Sequence, residues 1–119
     1  MMYMPKQRDI VWIDFDPSKG REIKKRRPAL IISSDNYNLS TNLIIVCPIT
    51  TTKKQMPFLI PAENKELSND SKINTKQVFS LDYTNQGERS IAFIAKLSEE
   101  KFLLAAQMFM YNFSFPFFQ

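Results

Sequence analysis

Short runs of strand-forming residues, separated by turn signals, constrain the fold of this chain more than any other feature. Residues 9–15 (DIVWIDF) alternate polar and apolar side chains, as a half-buried strand does. Residues 43–49 are continuously apolar, which predicts a buried central strand whose pairing breaks near Pro48. Further strands are predicted at residues 29–33, 57–61, 73–82 and 91–95.

Polar segments connect these runs. Residues 16–20 (DPSKG) have the proline and glycine of a tight turn, and a basic loop follows to residue 27. Residues 35–41 are polar and are predicted to form a turn, as are residues 53–55.

The last regular element is predicted to be a helix. Ser98 has the side chain of an N-cap, and Glu99 and Glu100 suit the positive end of a helix dipole. The helix should run to about Asn112, with an apolar face formed by Phe102, Ala106, Phe109 and Phe113 and flanked by Leu103 and Met110.

Five to seven short strands followed by one helix predict a mainly β fold: a small curled β-barrel with a C-terminal helix. No repeat or linker divides the chain, so residues 1–119 are expected to form one domain.

The absence of histidine excludes several kinds of chemistry, including Ser–His–Asp triads and paired-histidine ribonuclease sites. The single cysteine, Cys47, can form neither an intramolecular disulfide nor a structural zinc site, and its apolar surroundings predict a buried, unreactive thiol. We therefore expect no metal and no cofactor. The unpaired cysteine favours a reducing cytoplasm.

The formal net charge is +4, which favours an acidic partner such as nucleic acid or an acidic peptide. A basic soluble protein without such a partner would have the same charge. Residues 1–8 lack the apolar core of a signal peptide. The apolar residues 102–118 fall short of a spanning length, so no membrane association is expected.

Polar groups suited to nucleic acid occur in three segments. Residues 14–27 place many basic side chains around one glycine turn, either as a phosphate-binding loop or as a solvated one. The threonines at 50–52 leave the buried strand and could line a cleft or simply end the strand. Lys76 and Gln77 could meet a phosphate and a base edge, or lie on an exposed strand edge.

In this order the motifs resemble the MazF/PemK toxin family. The resemblance runs from Arg8 to the helix after Ser98, and its motifs are D-I-V-W-I-D-F-D-P-S-K-G-x-E, R-P-A-L-I-I-S, V-C-P-I-T-T and Q-V-F-S-L-D. It implies a compact SH3-like barrel with a C-terminal helix, usually a homodimer. It also implies a metal-independent endoribonuclease of single-stranded RNA. The expected inhibitor is an acidic antitoxin protein, and the toxin–antitoxin complex could bind DNA.

The same resemblance implies a site. The catalytic arginine before Pro28 is Arg27, the catalytic threonine after the third strand is Thr50, and the glutamate after the glycine turn is Glu22. Glu22 is the candidate base, or else it only orients Arg27. RNA contacts are expected from Lys19, Gly20, Arg21, Lys24, Lys25, Arg26, Thr51, Lys76 and Gln77.

Attack by the RNA's own 2′-hydroxyl would leave a 2′,3′-cyclic phosphate and a 5′-hydroxyl. The rival interpretation is a non-catalytic SH3-like module that binds nucleic acid or acts as a co-repressor. The aromatic residues 113–118 are expected to pack at a dimer surface or against the barrel.

Overall fold

The computed structural model describes residues 3–15, 26–84 and 90–116. Along these ranges the elements are β1 (Asp9–Asp14), β2 (Arg26–Ile31), α1 (Asp35–Thr41), β3 (Leu43–Thr51), β4 (Leu59–Pro61), β5 (Ser71–Asn74), β6 (Phe79–Asp82), β7 (Ile91–Lys96) and α2 (Glu99–Met110). The predicted mainly β fold, with five to seven strands and a C-terminal helix, is confirmed. The short helix α1 is an additional element.

The seven described strands form one sheet, in which every pair is antiparallel. The strand order is β4-β5-β3-β2-β1-β7, and β6 also pairs with β3. Strand β3 has the most partners. On one edge it pairs with β2, and on the other it pairs first with β6 and then, from Ile49 onward, with β5. It thereby links the two parts of the sheet.

Alternating side chains fill two hydrophobic clusters, one on each face of the sheet. One cluster includes Ile10, Leu30 and Cys47, and helix α2 adds Phe102 to it. The other takes the neighbouring positions in the same strands, such as Val11, Ala29, Ile31 and Val46. Burial on both faces explains why β3 is continuously apolar while β1 alternates only at its end.

Helix α2 begins after Ser98, whose hydroxyl accepts the Lys101 N–H at 3.2 Å, as the sequence predicts. Phe102 and Ala105 are buried, whereas Leu103 is 66% exposed and Met110 is 60% exposed. The buried face of α2 is therefore narrower than the apolar face that the sequence predicts. In the described part of the chain, neither helix has the length and apolarity needed to cross a bilayer.

The aromatic residues beyond α2 continue the helix surface as a row of rings. Phe113 lies 5.4 Å from Phe109 between ring centres, and Phe115 stacks on Phe113 at 6.2 Å. Both rings remain nearly half exposed. The described part of the tail therefore packs on the helix end and leaves apolar surface uncovered.

The two largest departures from the predicted elements arise because local side-chain hydrogen bonds outweigh composition. Strand β2 also begins at Arg26, inside the segment predicted as a loop. The segment 35–41, predicted as a turn, is helix α1: the Ser34 hydroxyl caps its start and Asn42, at φ 62°, ends it. The strand predicted at 73–82 is two strands. Between them the Asn74 side chain accepts the Lys76 N–H at 3.1 Å, which turns the chain out of β5.

Thr75, in this turn, connects three segments that are distant in sequence. It is fully buried, and its hydroxyl donates to the Phe58 carbonyl oxygen at 2.7 Å. The Asn112 side-chain nitrogen, just past α2, donates to the Thr75 carbonyl oxygen at 2.7 Å. The turn after β5, the loop before β4 and the end of α2 are thus held together by hydrogen bonds.

We predict that Thr75→Val lowers the free energy of unfolding by about 1 kcal/mol, because valine has threonine's shape but lacks the hydroxyl that donates to the Phe58 carbonyl oxygen. Urea titration followed by circular dichroism would measure the loss. Thr51→Val, at an exposed strand position, is the matched control and should change stability much less. Equal midpoints for Thr75→Val and the parent would show that this hydrogen bond does not stabilise the fold.

Candidate functional site

Arg27 extends from the start of β2, where it pairs with Ile13 of β1. Pro28 follows it and restricts the arginine to extended backbone, which suits a strand start. The guanidinium carbon of Arg27 lies 5.9 Å from the centre of the Phe15 ring. A cation within about 6 Å of an aromatic face is attracted to it, so the ring restrains an otherwise exposed guanidinium.

Phe15 in turn packs against Phe79, with ring centres 4.9 Å apart and planes inclined by 34°. Phe79 begins β6 and pairs with Val46 of β3. Arg27, Phe15 and Phe79, hereafter the aromatic ridge, thus come from three separate parts of the chain. Phe79 remains 37% exposed, so the ridge presents a cation beside aromatic surface.

Thr50 lies where β3 changes partners. The ladder with β2 ends at the pair Ala29–Pro48, and Thr50 pairs with Lys72 of β5. Paired residues share a face, and side chains alternate along a strand. Arg27 and Thr50 each lie two residues beyond the Ala29–Pro48 pair, so this register places both on one face, at the same end of the sheet.

An open cavity of about 420 Å³ adjoins Thr50. Its walls combine apolar side chains with polar ones: Thr50, Thr52, Lys54, Met56, Phe58, Leu59 and Asn74. A second cavity, of about 470 Å³, shares Met56 and Leu59 with the first and also contacts Lys72. We call the two together the β4–β5 groove. The volume of each cavity is in the range of ligand pockets, roughly 300–1,000 Å³.

Hydrogen bonds and ring contacts hold the polar groups of this groove in place. The Lys72 ammonium donates to the Thr52 carbonyl oxygen at 2.7 Å, which ties the loop after β3 to β5. The Lys76 ammonium lies 4.4 Å from the centre of the Phe58 ring. Both amines therefore have preferred positions beside the groove, where they add positive charge.

Of the predicted site residues, the structure places Arg27 and Thr50 on one face, as described. Lys76 and Gln77 are exposed in the turn beside the groove, and Thr51 is exposed at the end of β3. Strand alternation directs Arg26 to the opposite side of β2 from Arg27. The remaining predicted residues lie outside the described ranges: Lys19, Gly20, Arg21, Glu22, Lys24 and Lys25.

Four residues that border the groove were not predicted from the sequence: Lys54, Phe58, Lys72 and Asn74. A usable signal was present in K-K-Q-M-P-F, residues 53–58, where basic and apolar side chains follow the threonines directly. Lys72 and Asn74 gave no such signal, because only the pairing of β5 with β3 brings them to Thr50.

Cys47 is fully buried and belongs to the core beneath α2. Burial raises the pKa of its thiol to about 12, so the thiol stays protonated at neutral pH. The predicted burial of the cysteine is confirmed. Among the described residues, no group of three or more cysteine or acidic side chains is arranged to hold a metal ion.

Known proteins are similar to this chain in both fold and sequence. The sequence model of one protein family, the PemK-like, MazF-like toxins of type II toxin–antitoxin systems, matches residues 6–112. The endoribonuclease toxin MazF of Escherichia coli K12 is 35% identical over 85 residues, covering 71% of this chain and 75% of that protein.

Solved structures agree with these sequence matches. MazF from Deinococcus radiodurans superposes with a TM-score of 0.75 at 26% identity, covering 92% of this chain and 96% of that one. A MazE–MazF complex from the same organism gives a TM-score of 0.72 at 23% identity, covering 92% and 95%, and shows the likeness of fold.

The fold is therefore that of the small mainly β toxins, with a C-terminal helix. The chain belongs to the PemK-like, MazF-like toxin family of type II toxin–antitoxin systems. The resemblance stated from the sequence motifs is confirmed, and the predicted enzyme class, endoribonuclease, is the class named for the E. coli relative.

The aromatic ridge predicts restricted motion of the Arg27 side chain. In Phe15→Leu the guanidinium loses its aromatic contact, so the NMR order parameter of the Arg27 Nε–H should fall. Arg8 provides an internal control, because its Nε donates to the Leu97 carbonyl oxygen at 3.0 Å and should be unaffected. An unchanged Arg27 order parameter would mean that the ring does not restrain it.

Proposed function

We propose that this chain is a toxin endoribonuclease that cleaves single-stranded messenger RNA at short sequence motifs without a metal ion. The observation that carries the proposal is the shared face of Arg27 and Thr50, at the end of the sheet where β3 leaves β2. The matching family and its named endoribonuclease support the choice of RNA as substrate.

RNA contains its own nucleophile, the 2′-hydroxyl next to each phosphate. In the proposed reaction the 2′-oxygen forms a bond to phosphorus while the bond from phosphorus to the 5′-oxygen breaks. The 2′-proton passes to a base and the leaving 5′-oxygen receives a proton. The products are a 2′,3′-cyclic phosphate and a 5′-hydroxyl, and the protein must align the attack and stabilise the added negative charge.

Arg27 and Thr50 fit the stabilising roles. A guanidinium is planar and can bind two phosphate oxygens at once, and the Phe15 ring limits the positions that Arg27 can take. The Thr50 hydroxyl would donate to a non-bridging oxygen. Ordering both donors before the reaction reduces the reorganisation that the transition state requires.

The proton transfers need a different residue. A guanidinium is a poor proton acceptor, and the chain has no histidine to serve as a near-neutral base. We propose Glu22 as the base, or alternatively as a partner that orients Arg27. The segment that holds Glu22 also holds Lys19, Gly20, Arg21, Lys24 and Lys25, which we propose as RNA contacts. Among the described residues, Lys76 and Gln77 beside the groove complete that set, together with Arg26 and Thr51, whose side chains strand alternation directs away from the face of Arg27 and Thr50.

The proposal includes an acidic antitoxin as inhibitor. Lys54 and Lys72 border the groove, and an extended acidic segment could occupy the same phosphate positions as RNA.

The exposed apolar residues of α2 and its aromatic tail support a homodimer. We place the toxin in the cytoplasm with its RNA, where its antitoxin complex could also bind DNA.

Replacing either donor should remove activity while the fold persists. We expect Arg27→Ala and Thr50→Val each to lower kcat for a short RNA by about 100-fold or more, because each loses a donor to the transition state. Thr50→Ser keeps the hydroxyl and should retain most of the activity. A folded Arg27→Ala protein that cleaves at the parent rate would disprove this site.

The nucleophile can be tested on the substrate instead of the protein. A single 2′-deoxy substitution at the cut site should abolish cleavage in the presence of EDTA, whereas the all-ribose RNA is cut into discrete fragments. Cleavage of the deoxy substrate would indicate a water nucleophile. Binding of all-ribose RNA without any cleavage would favour the rival function, a non-catalytic nucleic-acid-binding or co-repressor module.

A further inference from the structure

The cavity next to Thr50 has walls of two chemical kinds. Met56, Phe58 and Leu59 form apolar surface, whereas Asn74 and Lys54 provide an amide and an ammonium. Unstacked RNA bases are bound by stacking or apolar contact with their faces and by hydrogen bonds to their edges. The amide and the apolar surface therefore suit a nucleobase, and the ammonium suits the phosphate attached to it.

The Asn74 amide is held in one orientation by its neighbours. Its Oδ1 accepts the backbone N–H of Lys76 at 3.1 Å, and its Nδ2 lies 3.5 Å from the Oε1 of Gln77. Asn74 also pairs with Leu59 of β4, which fixes its backbone beside the apolar wall. An amide nitrogen carries two hydrogens, so the contact with Gln77 leaves one for a ligand.

Thr50 lines the same cavity. If its hydroxyl contacts the scissile phosphate, a base in this cavity belongs to a nucleotide that flanks the cut. We propose that Asn74 is a specificity-determining residue, which donates from Nδ2 to an acceptor on the edge of that base while Met56 and Phe58 contact the base itself. This inference rests on the proposed function, since it needs Thr50 at the cut.

An exchange of donor for acceptor tests the hydrogen bond directly. Aspartate has the shape of asparagine, but its carboxylate only accepts, so Asn74→Asp should change the preferred base from one that offers an acceptor to one that offers an amino group. We expect a change of about tenfold or more in the ratio of kcat/KM for two RNAs that differ at that base. Asn74→Ala should weaken the preference without reversing it.

Asn64→Asp is the matched control. The Asn64 Oδ1 accepts the backbone N–H of Glu66 at 2.7 Å, so its side chain has the same local turn contact and receives the same added charge. It does not line the cavity, and the cleavage motif should stay that of the parent. A merely structural role of Asn74 would change rates on all substrates alike and would leave the base preference unchanged.

Cut sites mapped on a randomised RNA library would give the preference for each protein. Unaltered preferences in both Asn74 variants, with cleavage intact, would overturn the subsite and leave the proposed function standing. If the parent cuts no RNA, the proposed function fails. Base binding at Asn74 is then judged by titrating the parent with a short RNA and following the Asn74 side-chain amide signals by NMR: a shift supports a base-binding subsite, and no shift overturns it.

Discussion

The change of partner along β3 is the constraint on which the site depends. One continuous strand pairs with β2 and β6 through its first part and with β5 through its last. Pro48, which lacks an N–H, occupies the last pair with β2. Because both faces of β3 are buried from Val46 to Ile49, the strand cannot shift its register without exposing core residues. Thr50 is therefore held in a fixed relation to Arg27.

The cation and the aromatic rings near the site have complementary roles. Core burial ends close to Phe15 and Phe79, and their rings continue the apolar surface towards solvent. Arg27 lies over this surface instead of projecting freely, as Lys76 does over Phe58 at the β4–β5 groove. Ring contacts thus position both cationic groups without burying them. The positive charge therefore remains accessible to a polyanion.

Local patterns predicted the fold better than they predicted the site. Strand β1, the apolar β3 and the Ser98 cap of α2 each follow from a few adjacent residues, and the structure has all three. Arg27 and Thr50 were selected because their motifs resemble a family. Asn74 and Lys72 were not predicted from the sequence, because only the pairing of β5 with β3 and β4 brings them to the groove. Helix α1 was not predicted either, because its capping residues, Ser34 and Asn42, are also common in turns.

The stretch from Lys53 to Phe58 belongs to no strand or helix, and most of its side chains are exposed. Hydrogen bonds from distant residues hold its backbone at the two ends, where the Thr52 and Phe58 carbonyl oxygens accept from Lys72 and Thr75. Substitutions between these two points should cost little folding free energy. Evolution could therefore diversify the groove wall, and with it the proposed base preference, while the core and the strands that carry Arg27 and Thr50 stay as they are.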